Sequence, residues 1–489
     1  MQLLSNLLAQ CFPDVAVHGD TDIAIQHLTS DSRAVKPGSL FAAMPGVAAD
    51  GANYIPDALA AGAAAILMAE DARVDIVASV PLIRVPDMRA AVSKLASVFY
   101  APQPEFAFAI TGTDGKTSTA DFVRQLAQLS GLDAASMGTL GLRSEHATLN
   151  ALYPALNTSP EPILLHRTLH DLQAEGVRVV AIETSSHGLD QKRADGVKFA
   201  AGAFTNFTRD HLDYHGSLEA YFAAKSRLFR VLLADGSLAV LNRDDGHFTA
   251  LKTLCDERQL KVISFGKSAE ADYRVVKVTP HTDGLDASVM LHGKPYALEL
   301  PLYGAFQLSN MLAAIGLLTL TGVSEAASLK LLPLLQGVPG RLEKVGAQNG
   351  SPVFIDYAHT PAALENILKT LRPHTANKLH VVFGCGGDRD VGKRPEMGAV
   401  AAEFADQVIV TDDNPRSENP ALIRAAIMAR ATGATEIGDR DAAIRQAIQN
   451  LQAGDVLVVA GKGHETTQTI GNQVIPFSDA DHIRKAVAA

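Results

Sequence analysis

The segment FAFAITGTDGKTSTADFVRQL (106–126) limits most sharply what this chain can fold into. Its apolar start predicts a strand, its glycines a tight loop, and the residues after Thr117 a helix. Gly112 and Gly115 leave the backbone free to wrap N–H groups around an anion, Lys116 can meet terminal phosphates, and Thr117 can ligate Mg²⁺. A full Walker pattern needs glycine five residues before Gly115, where Ile110 stands. The motif is the shorter GxxGKT form, and its strand–loop–helix setting favours nucleotide binding over a structural turn.

The same grammar recurs along the chain. Within 1–101, SLFAAMPG reads as a strand and turn and DALAAGAAAILMA as a helix entering a strand, a small α/β unit. Pro102 and Pro104 then break the periodicity in an extended connector. Over 102–337 apolar runs ending in polar loops alternate with helices, the pattern of a mostly parallel sheet. After Gly337, Pro339 and Gly340, the runs SPVFIDYAH, KLHVVFGCGG, DQVIVTDDNP and DVLVVAGKGH form a Rossmann-like series. We expect an α/β protein of three domains: 1–101, 102–337 around the phosphate loop, and 338–489. The length of 489 residues agrees with about three domains.

Composition removes several classes. Hydrophobic residues are 47% and charged residues 20% of the chain, the balance of a protein that buries substantial cores, which excludes wholesale disorder. A net charge of −10 opposes a general phosphate-backbone binder, so no nucleic-acid partner is expected. Cys11, Cys255 and Cys385 are odd in number and far apart, which fits neither a disulfide framework nor a CxxC metal site and points to a reducing, cytoplasmic compartment. The N-terminus lacks a basic region, and no uncharged apolar run reaches the roughly 18–20 residues of a membrane span, so neither export nor a membrane partner is expected.

The remaining chemistry sits in loops after apolar runs, where open α/β sheets bind ligands. VRVVAIE ends in Glu183, an acid placed at a strand tip where a second Mg²⁺ ligand is useful. TRDHLDYHG gathers Arg209, Asp210, His211, Asp213 and His215 ahead of a helix carrying Lys225. In the last domain DYAHTP offers Asp356 and His359; GCGGDRDVGKRP offers Asp388, Arg389, Lys393 and Arg394; DDNPR offers Asp413, Asn414 and Arg416; GKGHE offers Gly461, Lys462, His464 and Glu465. Guanidinium pairs with carboxylate and carboxylate accepts from ammonium, so these loops suit an amino-acid-like zwitterion. The bland alternative pairs Arg389 and Arg416 with Asp388, Asp390 and Asp413.

Taken in order, GTDGKTS, ETSSHGLDQKR, TRDHLDYHG, AAKSRLF, YGAFQLSNMLAA, GVPGRLE, DYAHTP, GGDRDVGKRP, DDNPR and GKGHE closely resemble the Mur ligase family, over about residues 111–465. The resemblance implies an N-terminal UDP-binding domain, a central ATPase and a C-terminal Rossmann-like domain. It implies a monomeric cytoplasmic enzyme of peptidoglycan precursor synthesis, and so of cell-wall biogenesis, cell shape and division. ATP would convert the D-glutamyl carboxylate of UDP-N-acetylmuramoyl-L-alanyl-D-glutamate to an acyl phosphate, which the incoming amine attacks to expel phosphate.

Residue by residue, the resemblance gives Gly112, Thr113, Asp114, Gly115, Lys116, Thr117, Ser118, Asn310, Arg341, Asp356 and His359 to ATP. It gives Thr117, Glu183, His211 and a carbamylated Lys225 (N6-carboxylysine) to Mg²⁺, and makes Lys116, Glu183, His211 and Lys225 the catalytic set. Ser30, Ser32, Asn157, Thr158, Ser159, Ser185, Gln191 and Arg193 would bind the UDP-MurNAc-dipeptide. Arg389, Asp413, Asn414, Pro415, Arg416, Gly461 and Glu465 would bind meso-diaminopimelate, with which the DNPR form is associated. Arg416 would hold the distal carboxylate that lysine lacks. Asp114 departs from the asparagine usual in the family's phosphate loop, placing a negative charge beside a triphosphate. Rival readings are a lysine-adding or folylpolyglutamate-synthetase-like ligase, and a P-loop regulatory NTPase.

Overall fold

A computed structural model describes residues 2–15, 17–46, 50–73, 79–154 and 157–488. The chain is α/β with mostly parallel sheets. It divides into two compact units, Met1–Phe265 with Ala313–Ala327, and Gly266–Leu312 with Ser328–Ala489.

The first unit holds two of the sheets. The N-terminal sheet runs, in spatial order, Val17–His18, Leu82–Val85, Ala63–Ala69, Ser39–Ala42 and His27–Thr29, parallel except at its first pair. The next sheet orders Gly141–Arg143, Ala134–Gly138, Val179–Glu183, Phe106–Thr111, Ala201–Phe204, Leu238–Asn242 and Lys261–Gly266. Among these seven strands of the ten-stranded sheet only the first pair is antiparallel. Strands such as Val179–Glu183 are buried throughout, which is why they read as unbroken apolar runs rather than alternating ones. Each fully buried Val, Leu or Phe contributes roughly 1.5–3 kcal/mol of transfer free energy. Around Phe106–Thr111 the strand order reverses, a topological switch point of the kind where α/β sheets bind ligands. Register pairs Ile110 with Glu183 and Thr111 with Phe204, so Gly112, Glu183 and Thr205 emerge together at the carboxyl edge.

The second unit begins with an antiparallel meander, Tyr273–His281, Gly284–Leu291 and Lys294–Leu300. Strands alternating with helices were expected over 102–337, and this stretch differs. Leu285, Ala287, Val289 and Leu291 are buried while Asp286 and Ser288 are exposed, the period of two of a half-buried strand. His292 and Gly293 both take positive φ, 46° and 80°, as a two-residue hairpin turn requires.

The unit's second sheet orders Glu343–Gln348, Ser351–Asp356, Val456–Ala460, Leu379–Phe383, Gln407–Val410 and Thr435–Glu436, parallel after its first pair. Phe354, Val381 and Val458 pack on one face, and Val353, Ile355, Val382 and Leu457 on the other. The loops 357–360, 384–392, 411–419 and 461–466 all leave the carboxyl ends of these strands. Among the described residues no helix is long and apolar enough to cross a membrane.

Candidate active site

The phosphate loop is held from below by its neighbour strands. Gly112 takes φ 143°, and a β-carbon there would fall 1.9 Å from Thr205 Oγ1, so no side chain fits. Thr113 N donates to Asn206 O (2.9 Å), Asp114 N to Asn206 Oδ1 (2.9 Å), and Thr205 Oγ1 to Asp114 O (2.5 Å). Gly115, at φ 82°, opens the helix Lys116–Leu129. Lys116 Nζ folds back onto the carbonyls of Gly112 (2.9 Å) and Thr113 (2.7 Å). Thr117 Oγ1 donates to Glu183 Oε2 at 2.9 Å, both residues buried. Glu183 also accepts from Thr139 N (2.8 Å) and Thr139 Oγ1 (3.2 Å).

Lys225 is the anomaly of this site. It lies on the helix Leu218–Arg227, yet is 1% exposed. Its Nζ donates to Gly112 O at 2.6 Å and sits 4.5 Å from the centroid of the Tyr221 ring. Among the described residues it makes no ion pair with a carboxylate. Burial, reinforced by the neighbouring Lys116 charge, holds its amine well below the usual lysine range. Tyr221, one helical turn earlier, is fully buried with its OH 3.2 Å from Thr113 Oγ1, and burial pushes its phenol up to about 12.

His211 lies in the loop just before the short helix Leu212–His215. It is exposed at φ 50°, with its ring 4.8 Å from His187 and 5.9 Å from Tyr221. Its Nε2 is 3.4 Å from Asp210 Oδ2. Among the described residues no three His, Cys, Asp or Glu side chains converge as a metal cluster.

A third group adjoins Glu183. Ser159 Oγ donates to Glu183 O (3.0 Å), accepts from Ser185 N (2.9 Å) and lies 3.1 Å from Ser185 Oγ. Arg193 Nη1 donates to Ser159 O (2.8 Å) while Nη2 donates to Gln191 Oε1 (2.8 Å). The hydroxyls of Thr158 and Thr139 are 3.1 Å apart, and Asn157, next to Thr158 in sequence, is exposed. Ser30 and Ser32 lie elsewhere, on the loop after His27–Thr29 in the N-terminal sheet, where Asp31 accepts from Arg33.

In the second unit two arrangements stand out. Asp356 accepts from Leu342 N (2.7 Å) and Ala358 N (2.8 Å), and burial pushes its carboxyl up. Arg341 lies over the Tyr357 ring (5.0 Å), and both its buried Nε and the buried Nδ1 of His464 lack hydrogen-bond partners. His359 is exposed, its Nδ1 donating to Tyr357 O at 2.9 Å, and Asn310 is buried with Nδ2 donating to Gln307 Oε1 at 3.1 Å.

The acceptor-type loops form the other arrangement. Asn414 Nδ2 donates to Glu465 Oε2 (3.0 Å), and Asn414 N to Asp413 Oδ1 (2.7 Å). A β-carbon on Gly461 would lie 2.8 Å from Asp413 Oδ2, and one on Gly387 would lie 1.9 Å from Pro415 O. Arg416, at φ 51°, sends Nη1 to Gly387 O (2.7 Å), while Arg389 is exposed and reaches only Asp388 O (3.3 Å). The carboxylate pairing of Arg389 and Arg416 is thus not found among the described residues: Asp388 is taken by Ser417 and Asp390 by Gly392 N. Two guanidinium groups are left for another anion.

Several contributors escaped the sequence reading. Thr139 and Asn206 hold Glu183 and the phosphate loop, but a lone Thr or Asn after an apolar run carries no signal of its own. Tyr221 was detectable only as an aromatic four residues before Lys225, the spacing that puts both on one helix face. Lys462, by contrast, was already named in the GKGHE loop; it is fully buried and donates to Asn414 Oδ1 (3.3 Å), Glu465 Oε2 (3.2 Å) and Thr467 O (2.7 Å).

A glycine loop at a switch point and charged strand-end loops of both signs in a second α/β unit suit a phosphate-using enzyme, and comparison with known proteins gives the class a name. Three family models match: "Mur ligase family, catalytic domain" over 24–100, "Mur ligase middle domain" over 110–318, and "Mur ligase, glutamate ligase domain" over 340–463. The UDP-N-acetylmuramoyl-L-alanyl-D-glutamate–2,6-diaminopimelate ligase of Brucella melitensis is 48% identical over 98% of this chain and 97% of its own length. That of Rhizobium meliloti is 47% identical over 99% of both. A solved structure bearing the same enzyme name is 32% identical with a TM-score of 0.75, covering 100% of this chain and 99% of that one. A Mycobacterium tuberculosis folylpolyglutamate synthase, 21% identical at TM-score 0.60 over 76% of this chain and 91% of its own, shares the fold alone. The chain belongs to the Mur ligase family, and is an ATP-dependent ligase.

Proposed function

We propose that this chain adds meso-diaminopimelate to UDP-N-acetylmuramoyl-L-alanyl-D-glutamate at the expense of ATP, as a cytoplasmic monomer with domains 1–101, 102–337 and 338–489. The observation that carries the reading is the acceptor loop set: Arg389 and Arg416, which make no carboxylate pair among the described residues, beside the hydrogen-bonded Asp413–Asn414–Glu465 group. Meso-diaminopimelate presents two amino-acid ends, so it can offer carboxylates to guanidinium and an ammonium to carboxylate. The names of relatives 47–48% identical over nearly the whole chain support the same acceptor.

The residues of the phosphate loop suit ATP and Mg²⁺. Mg²⁺ takes hard oxygen donors and is commonly bound by one or two protein ligands plus phosphate oxygens, so Thr117 Oγ1 and Glu183 are an adequate set, with His211 and a modified Lys225 as further ligands. Bound there, the ion would neutralise charge on the transferred phosphoryl group. Gly112–Ser118 would cradle the phosphates and Lys116 would turn from its backbone carbonyls to their oxygens. The unpartnered Nε of Arg341, with Asp356, His359 and Asn310, would meet the rest of the nucleotide. Lys225 favours carbamylation by its burial, which disfavours the ammonium form: the neutral amine is the nucleophile, and its attack on CO₂ yields a carbamate and a proton. Ser30, Ser32, Asn157, Thr158, Ser159, Ser185, Gln191 and Arg193 would hold the UDP-MurNAc-dipeptide, whose D-glutamyl carboxylate is phosphorylated before the amine attacks.

The test is phosphate release from ATP, Mg²⁺ and UDP-MurNAc-L-Ala-D-Glu, with meso-diaminopimelate, L-lysine or no amine. Release stimulated by meso-diaminopimelate alone is expected. Stimulation by lysine would overturn the Arg416 assignment, and release indifferent to any amine would favour a nucleotide-driven regulatory protein.

A further inference from the structure

Beneath the acceptor loops lies an ion pair with no exposure: Arg440 and Asp479, both at 0%. Each opens a helix, Arg440–Gln449 and Asp479–Ala488. The guanidinium grips the carboxylate at two points, Nε to Oδ1 and Nη2 to Oδ2, both 2.7 Å. Such a pair is weak evidence for stability, because desolvating two charges offsets much of their attraction. Its remaining donors point to another role. Nη2 also donates to Ala460 O (3.0 Å), and Nη1 to Asp412 O (3.4 Å).

Those carbonyls immediately precede Gly461, where one acceptor loop begins, and Asp413, two residues into another. The strands ending at Ala460 and Val410 are not neighbours, since Leu379–Phe383 runs between them. One planar guanidinium therefore ties two loops across an intervening strand. The clearance is small: a β-carbon on Gly384, at the end of that strand, would lie 2.3 Å from Thr411 O, and one on Gly461 2.8 Å from Asp413 Oδ2. The Asp413 and Glu465 carboxylates add to the electrostatic hold on the same guanidinium.

We propose that Arg440, oriented by Asp479, is the positioning residue of the acceptor site, setting the spacing between the Asp413–Arg416 and Gly461–Glu465 loops to which both ends of a zwitterionic amino acid must register. The inference rests on the acceptor role proposed above for those loops. Lysine at 440 would keep the charge but lose the planar fork that reaches Asp479 and two carbonyls at once.

The experiment is steady-state kinetics on the full chain and on Arg440→Lys and Asp479→Asn, titrating each substrate separately, with thermal unfolding alongside. A loop displaced by an ångström costs up to about 100-fold, so KM for meso-diaminopimelate should rise roughly 10- to 100-fold in Arg440→Lys. KM for ATP and for the UDP-dipeptide should stay within about twofold, and the preference for meso-diaminopimelate over lysine should narrow. If Arg440→Lys does not fold, Asp479→Asn carries the same expectation, because it leaves the guanidinium in place but no longer oriented. A lowered Tm with all three KM values unchanged, or risen together, would reduce the pair to a structural one and overturn the proposal. Native protein indifferent to meso-diaminopimelate would instead remove the acceptor reading on which it stands.

Discussion

The phosphate loop and the acceptor loops solve the same problem, fixing polar groups at the carboxyl edge of a parallel sheet, by different means. Between Thr111 and Ser118 the groups needed are consecutive, and backbone amides, two positive-φ glycines and a helix start supply the geometry. The proposed acceptor site is assembled from the loops 384–392, 411–419 and 461–466 on three strands, beneath which lie side chains that never reach the surface: Lys462, Arg440 and Asp479. A locally encoded site tolerates change around it and fails when its own backbone is altered; an assembled site fails when a remote brace is removed.

The largest expected effect tests the assembled site. Arg416→Ala should erase discrimination between meso-diaminopimelate and L-lysine, by up to about 10⁴-fold, because a site built around a carboxylate partner rejects ligands by leaving polar groups unpaired. Competition between the two amines measures it, and an unchanged acceptor preference would remove Arg416 from the site. Next, Lys225→Ala should lower turnover by about 10²–10³-fold, the cost of deleting one preorganised electrostatic group. Added formate or acetate should recover part of it, while failure at every concentration would leave the carbamate without support.

Gly112→Ala tests the local site. At φ 143°, with Thr205 Oγ1 1.9 Å from the new β-carbon, the loop must move, so ATP should bind at least roughly tenfold more weakly and stability should fall by about 1–3 kcal/mol. Nucleotide titration and thermal unfolding read the two terms, and KM for meso-diaminopimelate should be unaffected. The smallest effect is Asp114→Asn. Asp114 is exposed, so removing its charge is worth up to about 1 kcal/mol, appearing as a several-fold lower requirement for ATP or Mg²⁺. A rise in that requirement would mean that the carboxylate serves the nucleotide.

Legibility in the sequence followed the same divide. The strand Phe106–Thr111, its loop and its helix could be read directly, as could the C-terminal strands with their polar loops. The meander 273–300 was not separated from the parallel pattern before it, since short alternating strands look like the polar flanks of helices until their turns are placed. Nothing next to Lys225 in the chain signals its burial, since its partner carbonyl is 113 residues away. Arg440 and Asp479 carried no motif, and Thr139, Asn206 and Tyr221 gave no signal that ordinary strand and helix residues lack.

What the sequence determined by itself is whatever rests on adjacency: the glycine loop between strand and helix, the buried parallel strands and the serial order of motifs that resembles the Mur ligases. Backbone conformation and apolar periodicity are properties of neighbouring residues, so they can be read without the fold. Only the tertiary structure decided which charges lose water. The buried Lys225 amine, the unpaired guanidinium groups of Arg389 and Arg416, and the Arg440–Asp479 brace depend on what packs around them. Desolvation and long-range pairing are set by segments far apart in the chain, and no local pattern contains them.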